Sequence, residues 1–222
     1  KIQKVSVGLA SVCQNVQISN SEGRLVHDTR IRCRMSVSSF AQDDQNLQSG
    51  YEAPGASKGL EFFEERTPES IGQEASRIAL VLLEAKDCPS GKMPVIIDNG
   101  FGGVIFHEAC GHALEASSVS KNQSVFCNKL GQKVASDKVT AIDDGTIPNA
   151  WGSQNVDDEG NPQQKRVLIE NGILKSYMVG RLNGRRMGLE STSSSRRQSY
   201  KFETTSRMTN TYIAAGNDDF DE

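Results

Sequence analysis

The residues of this chain with the clearest chemical potential are two histidines and the glutamate that follows the first of them. They lie in the segment His107-Glu108-Ala109-Cys110-Gly111-His112. Neutral imidazole is the commonest side-chain ligand of metals and suits Zn²⁺. A glutamate beside such a ligand can take a proton from metal-bound water, which is the chemistry of the HExxH metallopeptidase motif. The segment therefore points to a hydrolytic metal site with His107 and His112 as ligands and Glu108 as the base.

The spacing of the two histidines is one residue longer than in HExxH. At about 100° per residue, an i,i+4 pair diverges by about 40° around a helix, whereas an i,i+5 pair diverges by about 140°. A regular helix cannot aim both imidazoles at one ion, so the helix must contain a π-bulge or break before His112. Gly111 makes such a distortion inexpensive. Spacing alone also allows packing or hydrogen-bonding histidines, with Glu108 as a solvated helix residue.

The composition favours a folded protein with long polar loops. The chain has 222 residues, of which 36% are hydrophobic and 24% charged, and its formal net charge is −3. The length allows one large domain or two small ones, and the charge gives no general attraction to nucleic acid or to an anionic membrane. No apolar run approaches the roughly 20 residues of a membrane span, and no signal segment opens the chain. Because Lys1 already lies in a predicted strand, we expect a fragment of a longer protein.

The five cysteines favour a reducing compartment. None forms a CxxC pair, and their number is odd. Neither a disulfide framework nor a closed structural zinc site is expected, so we predict a cytoplasmic protein.

The pattern of residues 1–90 predicts an N-terminal α/β region, which we interpret as a truncated part of the N-terminal domain. Two runs of alternating apolar residues, around Val7 and from Ile31 to Val37, predict half-buried antiparallel strands. The polar residues 41–59 predict a loop. A helix is expected from Thr67, because this residue is a good N-cap and is followed by proline and an apolar stripe at helical spacing.

Residues 91–222 predict the core region that carries the candidate site. The apolar run Pro94–Ile97 predicts a buried strand, and a helix is expected to follow through Glu115. The helix residues expected to be buried are Val104, Ile105, Phe106, Ala109 and Ala113. Residues 134–142 predict a strand, and Asn171-Gly172 predicts a hairpin turn between apolar runs.

Two further segments are expected to be loose. These are the Ser, Thr and Arg run at residues 191–199 and the acidic end at residues 217–222. Taken together, the elements predict an α+β fold of antiparallel strands with a few helices, with the histidine motif on a distorted helix.

The motif and its surroundings resemble the TldD/PmbA family, once labelled modulators of DNA gyrase. The segment Gly103–Glu115 carries the resemblance most clearly. The resemblance covers essentially the whole chain and is densest over residues 100–213. Segments that agree in order include Asp143-Asp144-Gly145-Thr146, Asp157-Asp158-Glu159-Gly160, Arg196-Arg197-Gln198-Ser199-Tyr200 and Arg207-Met208-Thr209-Asn210-Thr211-Tyr212.

This resemblance implies a zinc-dependent peptidase that cleaves small or unfolded peptides by Glu-assisted attack of metal-bound water. The family's HExxxH motif assigns the ligands to His107 and His112 and the base to Glu108. Its third ligand, a cysteine near the C-terminal end of the full protein, has no match here, so we expect this chain alone to hold zinc incompletely. The family also implies a homodimer, or a heterodimer with a PmbA/TldE-like subunit that lacks the motif.

Other signals give weaker expectations. Arg197 and Asn210 are candidate substrate-binding residues, although solvated loop positions remain an alternative for Arg197. A GxSxG match at Gly55–Gly59 lacks the strand and helix of a nucleophile elbow. The rival to a peptidase is a non-catalytic regulatory or partner-binding subunit of the same family, against which the intact His-Glu-His set argues.

Overall fold

The computed structural model describes residues 1–218, which form two compact units. The first unit comprises residues 1–15 and 29–95, and the second comprises residues 16–28 and the chain from residue 96 onward. Both combine antiparallel strands with a few helices, so the α+β prediction is confirmed. The division into regions 1–90 and 91–222 stays a prediction. Most of the acidic end expected to be loose, residues 219–222, lies outside the described residues.

The sheet of the first unit is built on a long hairpin whose far end belongs to the second unit. The strand order is β1-β2-β3, and β4 pairs with β2. The turn of the hairpin is stabilised by Asn20, whose Oδ1 accepts hydrogen bonds from the backbone N–H groups of Glu22 and Arg24. Gly23 in this turn has φ +83°, a conformation that glycine adopts at little cost. The elements of this sheet are β1 Ile2–Ser19, β2 Leu25–Gln42, β3 Leu47–Glu52 and β4 Gly55–Ala56.

One helix packs on this sheet as the sequence predicts. A short helix, α1 (Phe62–Glu65), precedes α2 (Pro68–Glu84). The N-cap is Thr67, whose Oγ1 accepts a hydrogen bond of 3.2 Å from the N–H of Ser70. The apolar stripe of α2 packs against β2 and β3 and forms the small core of this unit.

Two expectations for the first unit were wrong. Residues 41–59 were expected to form a loop but contain β3 and β4. Gly50 lies directly under α2, and a Cβ there would collide with the backbone oxygen of Ala75, so helix packing rather than an apolar pattern places this strand. The first strand was expected to be half-buried, yet residues 1–15 are all exposed.

The second unit contains a four-stranded antiparallel sheet of order β10-β5-β6-β7 and a two-stranded ribbon of β8 and β9. The strands are β5 Ala141–Asp144, β6 Lys165–Glu170, β7 Ile173–Leu174, β8 Ser195–Arg196, β9 Thr205–Ser206 and β10 Thr211–Ile213. Its helices are α3 Val104–Phe106, α4 Ala116–Val119 and α5 Arg181–Met187. The predicted hairpin at Asn171-Gly172 is confirmed, since both residues have the positive φ that such a turn requires.

The core of the second unit lies between the sheet and the segment that carries the histidine motif. Fully buried members include Leu114, Leu168, Leu174 and Met178, and Phe106 is 5% exposed. The backbone is fixed to this core by two hydrogen bonds, from the N–H of Ala116 to the oxygen of Met178 and from the N–H of Met178 to the oxygen of Leu114. The end of the motif helix is therefore anchored in the core.

Several expectations for residues 91–222 were wrong. The run Pro94–Ile97 forms no strand and is exposed. No strand among residues 1–218 pairs with it. Residues 134–142 were expected to be a strand, but the strand begins only at Ala141 because the preceding segment turns around Gly172. Of the five motif-helix residues expected to be buried, only Phe106 is buried. Ala113 is half-buried, and the exposed ones are Val104, Ile105 and Ala109.

The run at residues 191–199 was expected to be loose, but part of it is buried, whereas residues 196–198 are exposed. Residues 192–195 are all less than 10% exposed. The Oγ1 atom of Thr192 accepts a hydrogen bond from the N–H of Val179 and contacts Ser194 Oγ at 2.8 Å. Within the described residues, no helix is long and apolar enough to cross a membrane.

Candidate metal centre

The helix that carries the motif changes its winding three times. A 3₁₀ turn at Gly100–Gly103 leads into α3, a π-helical turn spans His107–Gly111, and another 3₁₀ turn spans His112–Leu114. In the π turn, the N–H of His112 donates to the backbone oxygen of His107, an i→i+5 hydrogen bond. This winding places residues five apart above one another, so the predicted distortion is confirmed in the form of a π-bulge.

The π turn brings the imidazoles of His107 and His112 together. Their ring centroids are 4.8 Å apart, and the ring planes make an angle of 86°. Glu108 lies on the same side, with Oε2 at 4.0 Å from Nε2 of His112. One potential ligand atom from each of these three residues lies within 4.8 Å of the others. The structure thus brings together the three residues that the sequence motif singled out.

Each imidazole is fixed through its Nδ1 atom by a neighbouring side chain. Nδ1 of His107 lies 3.3 Å from Oγ1 of Thr211 in β10. Nδ1 of His112 lies 3.1 Å from Oε1 of Glu115. Both contacts suit a neutral ring that carries its hydrogen on Nδ1, which leaves the Nε2 lone pair available to a metal.

The electrostatic surroundings favour the neutral form of His107 by lowering its pKa. Burial lowers the pKa of His107, and the positive charge of a protonated His112 lowers it further, while the carboxylate of Glu108 opposes both effects. Neutral imidazole is the form that binds a metal. Burial also raises the pKa of Glu115, against which the nearby Arg207 and His112 favour the carboxylate.

The donor set fits a zinc-like cation. The imidazole nitrogens of His107 and His112 are ligands that Zn²⁺ accepts, and the carboxylate of Glu108 lies beside them. Catalytic zinc sites use three protein ligands with one position open, so the two histidines would supply two of the three. Among residues 1–218, no cysteine belongs to this group. Cys110, which lies inside the motif, packs its side chain against the core instead, and burial raises the pKa of its thiol. A raised pKa disfavours the thiolate form that a metal requires.

The two candidate substrate residues have different surroundings. Arg197 is exposed, and its backbone N–H donates to Oδ2 of Asp158. The side chain of Asn210 forms three hydrogen bonds inside the protein. It accepts from the N–H of Gly152 at 2.9 Å and donates to the backbone oxygen of Asp144 at 2.6 Å and to Ser153 Oγ at 2.8 Å. The substrate roles of both residues stay predictions.

Sequence reasoning missed the residues that support the histidines. Glu115 follows His112 at i+3, a spacing that brings two side chains together on a helix, so it was accessible to a pattern argument. Thr211 was not, because it reaches His107 from a strand 104 residues further along the chain.

Comparisons with known proteins agree on one family. Residues 90–222 match the domain described as "PmbA/TldA metallopeptidase C-terminal domain", and residues 1–83 match the corresponding central domain. A metalloprotease TldD homolog of Haemophilus influenzae is 41% identical over 227 residues, which cover 100% of this chain and 47% of the relative. A metalloprotease of Methanocaldococcus jannaschii is 42% identical over 222 residues, which cover 100% of this chain and 49% of the relative.

Solved structures show the same fold. A Thermotoga maritima protein described as a modulator of a DNA gyrase superposes with a TM-score of 0.80 at 26% identity, covering 100% of this chain and 48% of that one. TldE from Thermococcus kodakarensis superposes with a TM-score of 0.72 at 21% identity, covering 97% of this chain and 48% of that one. The chain spans about half the length of the curated relatives it matches. From these matches over its whole length, the chain belongs to the PmbA/TldD family of metallopeptidases.

Proposed function

We propose that this chain supplies the metal-binding part of a zinc-dependent peptidase that cleaves small or unfolded peptides. The observation that carries the proposal is the convergence of His107, Glu108 and His112, whose potential ligand atoms lie within 4.8 Å of one another. His107 and His112 would hold the cation. When bound, a zinc ion lowers the pKa of a coordinated water and polarises a carbonyl group.

The proposed base is Glu108. Its side chain is 67% exposed, and Oε2 lies 4.0 Å from the Nε2 atom of His112. The carboxylate can therefore accept a proton from the attacking water beside the two imidazoles and return it to the nitrogen of the leaving amine. General acid–base catalysis of this kind contributes about 10²–10⁴-fold to a rate.

The sheet next to the site supports the proposed substrate class, which the family resemblance implies. Strand β10 lies at one edge of its sheet and contacts the π turn that carries His107. An extended peptide that added to a strand edge would be held mainly by backbone hydrogen bonds, which gives little sequence selectivity. Arg197, with its exposed side chain, is the proposed partner for a substrate carboxylate, and Asn210 is a second proposed contact.

The proposal extends to assembly and location. We expect the intact protein to act in the cytoplasm as a homodimer or as a heterodimer with a PmbA/TldE-like subunit. Light scattering of the purified protein, alone and mixed with such a subunit, measures the assembly directly.

The test is the cleavage of unfolded peptides by the intact zinc-loaded protein and its Glu108→Gln variant. We expect the variant to keep its zinc and to lose about 100-fold or more in kcat, because glutamine cannot accept the proton. Glu170→Gln, which changes an exposed carboxylate paired with Lys175, is the matched control and should cleave like the wild type. Equal cleavage by Glu108→Gln would refute the role of Glu108, and a wild type with neither zinc nor cleavage would favour a non-catalytic subunit.

A further inference from the structure

We propose that Glu115 is a positioning residue for the metal centre: held in place by Arg207, it fixes the tautomer and the orientation of His112, so that Nε2 of this ring faces the cation. This inference rests on the proposed function, because it assigns a purpose to a side chain beside the proposed ligand. Glu115 lies outside the HExxxH motif, three residues beyond its second histidine.

The first observation is that the buried carboxyl group of Glu115 contacts the side chains of His112 and Arg207. Its side chain is 6% exposed, its Oε1 lies 3.1 Å from Nδ1 of His112, and the same oxygen lies 3.7 Å from Nε of Arg207. The backbone N–H of Met208 also contacts the carboxyl group. A carboxylate is costly to bury unless it is paired and hydrogen-bonded, so packing alone would favour an apolar side chain at this position.

The second observation is that the backbone at Glu115 is fixed. The N–H of Glu115 donates to the oxygen of His112, which closes the last turn of the motif helix. Glu115 also forms a parallel bridge with Met178, a fully buried core residue. The carboxyl group therefore has little freedom to move, and the imidazole that it contacts is held in one orientation.

The chemical consequence concerns where the imidazole carries its hydrogen. The oxygen of an ionised carboxylate can only accept, so with Glu115 ionised the contact requires the hydrogen of a neutral His112 to be on Nδ1. The lone pair is then on Nε2, the atom that lies 4.0 Å from Glu108. Free imidazole side chains in water favour the opposite tautomer, with the hydrogen on Nε2. A carboxylate partner on the far side of a ring also makes its ligating nitrogen more basic.

The two proposed ligands differ in this respect. The partner of His107 is the neutral hydroxyl group of Thr211, at 3.3 Å from Nδ1. A hydroxyl group can donate or accept, so it selects a tautomer less strictly than a carboxylate does. We therefore expect removal of the Glu115 carboxylate to affect the metal centre more than removal of the Thr211 hydroxyl group.

The experiment combines two measurements on the intact protein. Long-range ¹H–¹⁵N spectra of the metal-free, histidine-labelled protein at about pH 8, where an ordinary imidazole is neutral, report which nitrogen of His112 carries the hydrogen. A His112→Gln variant assigns the signal. Titration with Co²⁺, followed by its visible absorption, gives the metal affinity. The variants are Glu115→Ala, Glu115→Gln and Arg207→Gln, with Thr211→Val and Glu170→Gln for comparison.

We expect Glu115→Ala to shift the hydrogen of His112 toward Nε2 and to weaken Co²⁺ binding by about 10–100-fold. Glu115→Gln keeps an acceptor oxygen but not the charge, so it should largely restore the tautomer while the affinity stays below that of the wild type. Arg207→Gln and Thr211→Val should each give a smaller loss of affinity than Glu115→Ala, and the control Glu170→Gln should stay close to the wild type. If the alanine variant fails to fold, the isosteric glutamine variant decides through its affinity.

This inference would be overturned if the wild type bound Co²⁺ and the folded Glu115 variants kept its tautomer and its Co²⁺ affinity. The proposed function would then remain intact. A wild-type protein that binds neither Co²⁺ nor Zn²⁺ would overturn both. The two failures are therefore distinguishable within one set of samples.

Discussion

The Oγ1 atom of Thr211 lies 3.3 Å from Nδ1 of His107, so a strand 104 residues further along the chain fixes the first candidate ligand. The segment around Thr211 is tied to the second unit at several points. Met208 packs against Gly111, and the N–H of Thr209 donates to Asp143. The geometry of the candidate metal centre therefore depends on contacts that lie outside the motif itself.

The first prediction concerns the close approach of Gly111 and Met208. Gly111 has an ordinary helical φ of −56°, so a glycine is not required there for its backbone conformation. A Cβ at this position would instead lie 2.5 Å from the Sδ atom of Met208, a residue that is 3% exposed. We expect Gly111→Ala to lower the free energy of unfolding by about 1–3 kcal/mol, because overpacking forces a buried neighbour to move.

Urea unfolding of the intact protein measures this change. Gly103→Ala is the matched control, because a Cβ there meets no heavy atom within 4 Å. The control should be at least as stable as the wild type, because Gly103 has a helical φ of −58° that alanine adopts without strain. If Gly111→Ala were as stable as the wild type, the close packing of Gly111 against Met208 would not contribute to the stability of the fold.

The second prediction concerns the pH dependence of stability. Burial raises the pKa of Asp143 from 3.8 to about 6, although the hydrogen bond from Thr209 and the charge of Arg166 oppose the shift. Between these two values the folded protein holds a proton on Asp143 that the unfolded chain has lost. Unfolding then releases a proton, so this group's contribution to stability falls as the pH rises, by about 3 kcal/mol across the window.

An Asp143→Asn variant removes this titration. Relative to the wild type, the variant should gain about 3 kcal/mol of unfolding free energy between about pH 4 and about pH 7. Urea unfolding at a series of pH values gives the difference, and Asp137→Asn, at an exposed position, is the matched control variant. A constant difference between wild type and Asp143→Asn would show that Asp143 titrates normally.

The third prediction separates a structural role of Asn210 from a substrate role. Its amide forms three hydrogen bonds within the protein, to Gly152, Asp144 and Ser153. We expect Asn210→Ala to lower the free energy of unfolding by about 1–3 kcal/mol, because partly buried partners lose their hydrogen bonds. The exposed Asn217 provides the control variant Asn217→Ala. A rise in KM without loss of stability would instead assign Asn210 to substrate binding.

The sequence predicted those helices and turns that are determined by residues within the element itself. Thr67 caps α2 with its own side chain, and the positive φ values of Asn171 and Gly172 form the turn between β6 and β7. The irregular helix was also predictable, because an i,i+5 pair on a regular helix cannot converge. In each case the residues that determine the structure lie within a few positions of one another.

The expectations that failed depend on distant partners. Strand β3 lies in a polar segment because Gly50 allows α2 to approach closely. Residues 192–195 are buried although they are polar, and the Oγ1 atom of Thr192 accepts a hydrogen bond from the N–H of Val179, 13 residues earlier in the chain. The run Pro94–Ile97 is apolar yet exposed, with Ile96 at 99%. Composition alone predicted the opposite in all three segments.

The same limit applies to the candidate site. The motif predicted His107, Glu108 and His112, and the structure brings their potential ligand atoms within 4.8 Å of one another. Glu115 was within reach of a spacing argument, whereas Thr211 and Arg207 reach the site only through the fold. Side chains that orient a ligand from a distant strand leave no pattern in a single sequence.

The most direct test of the central claim is the zinc content and zinc affinity of the intact protein beside three alanine variants. We predict about one zinc ion per chain in the wild type, retained in the control His27→Ala, whose histidine is exposed. His107→Ala and His112→Ala should each lose the ion. Wild-type zinc affinity in both of these variants would contradict the account, because the two imidazoles would then not share a cation.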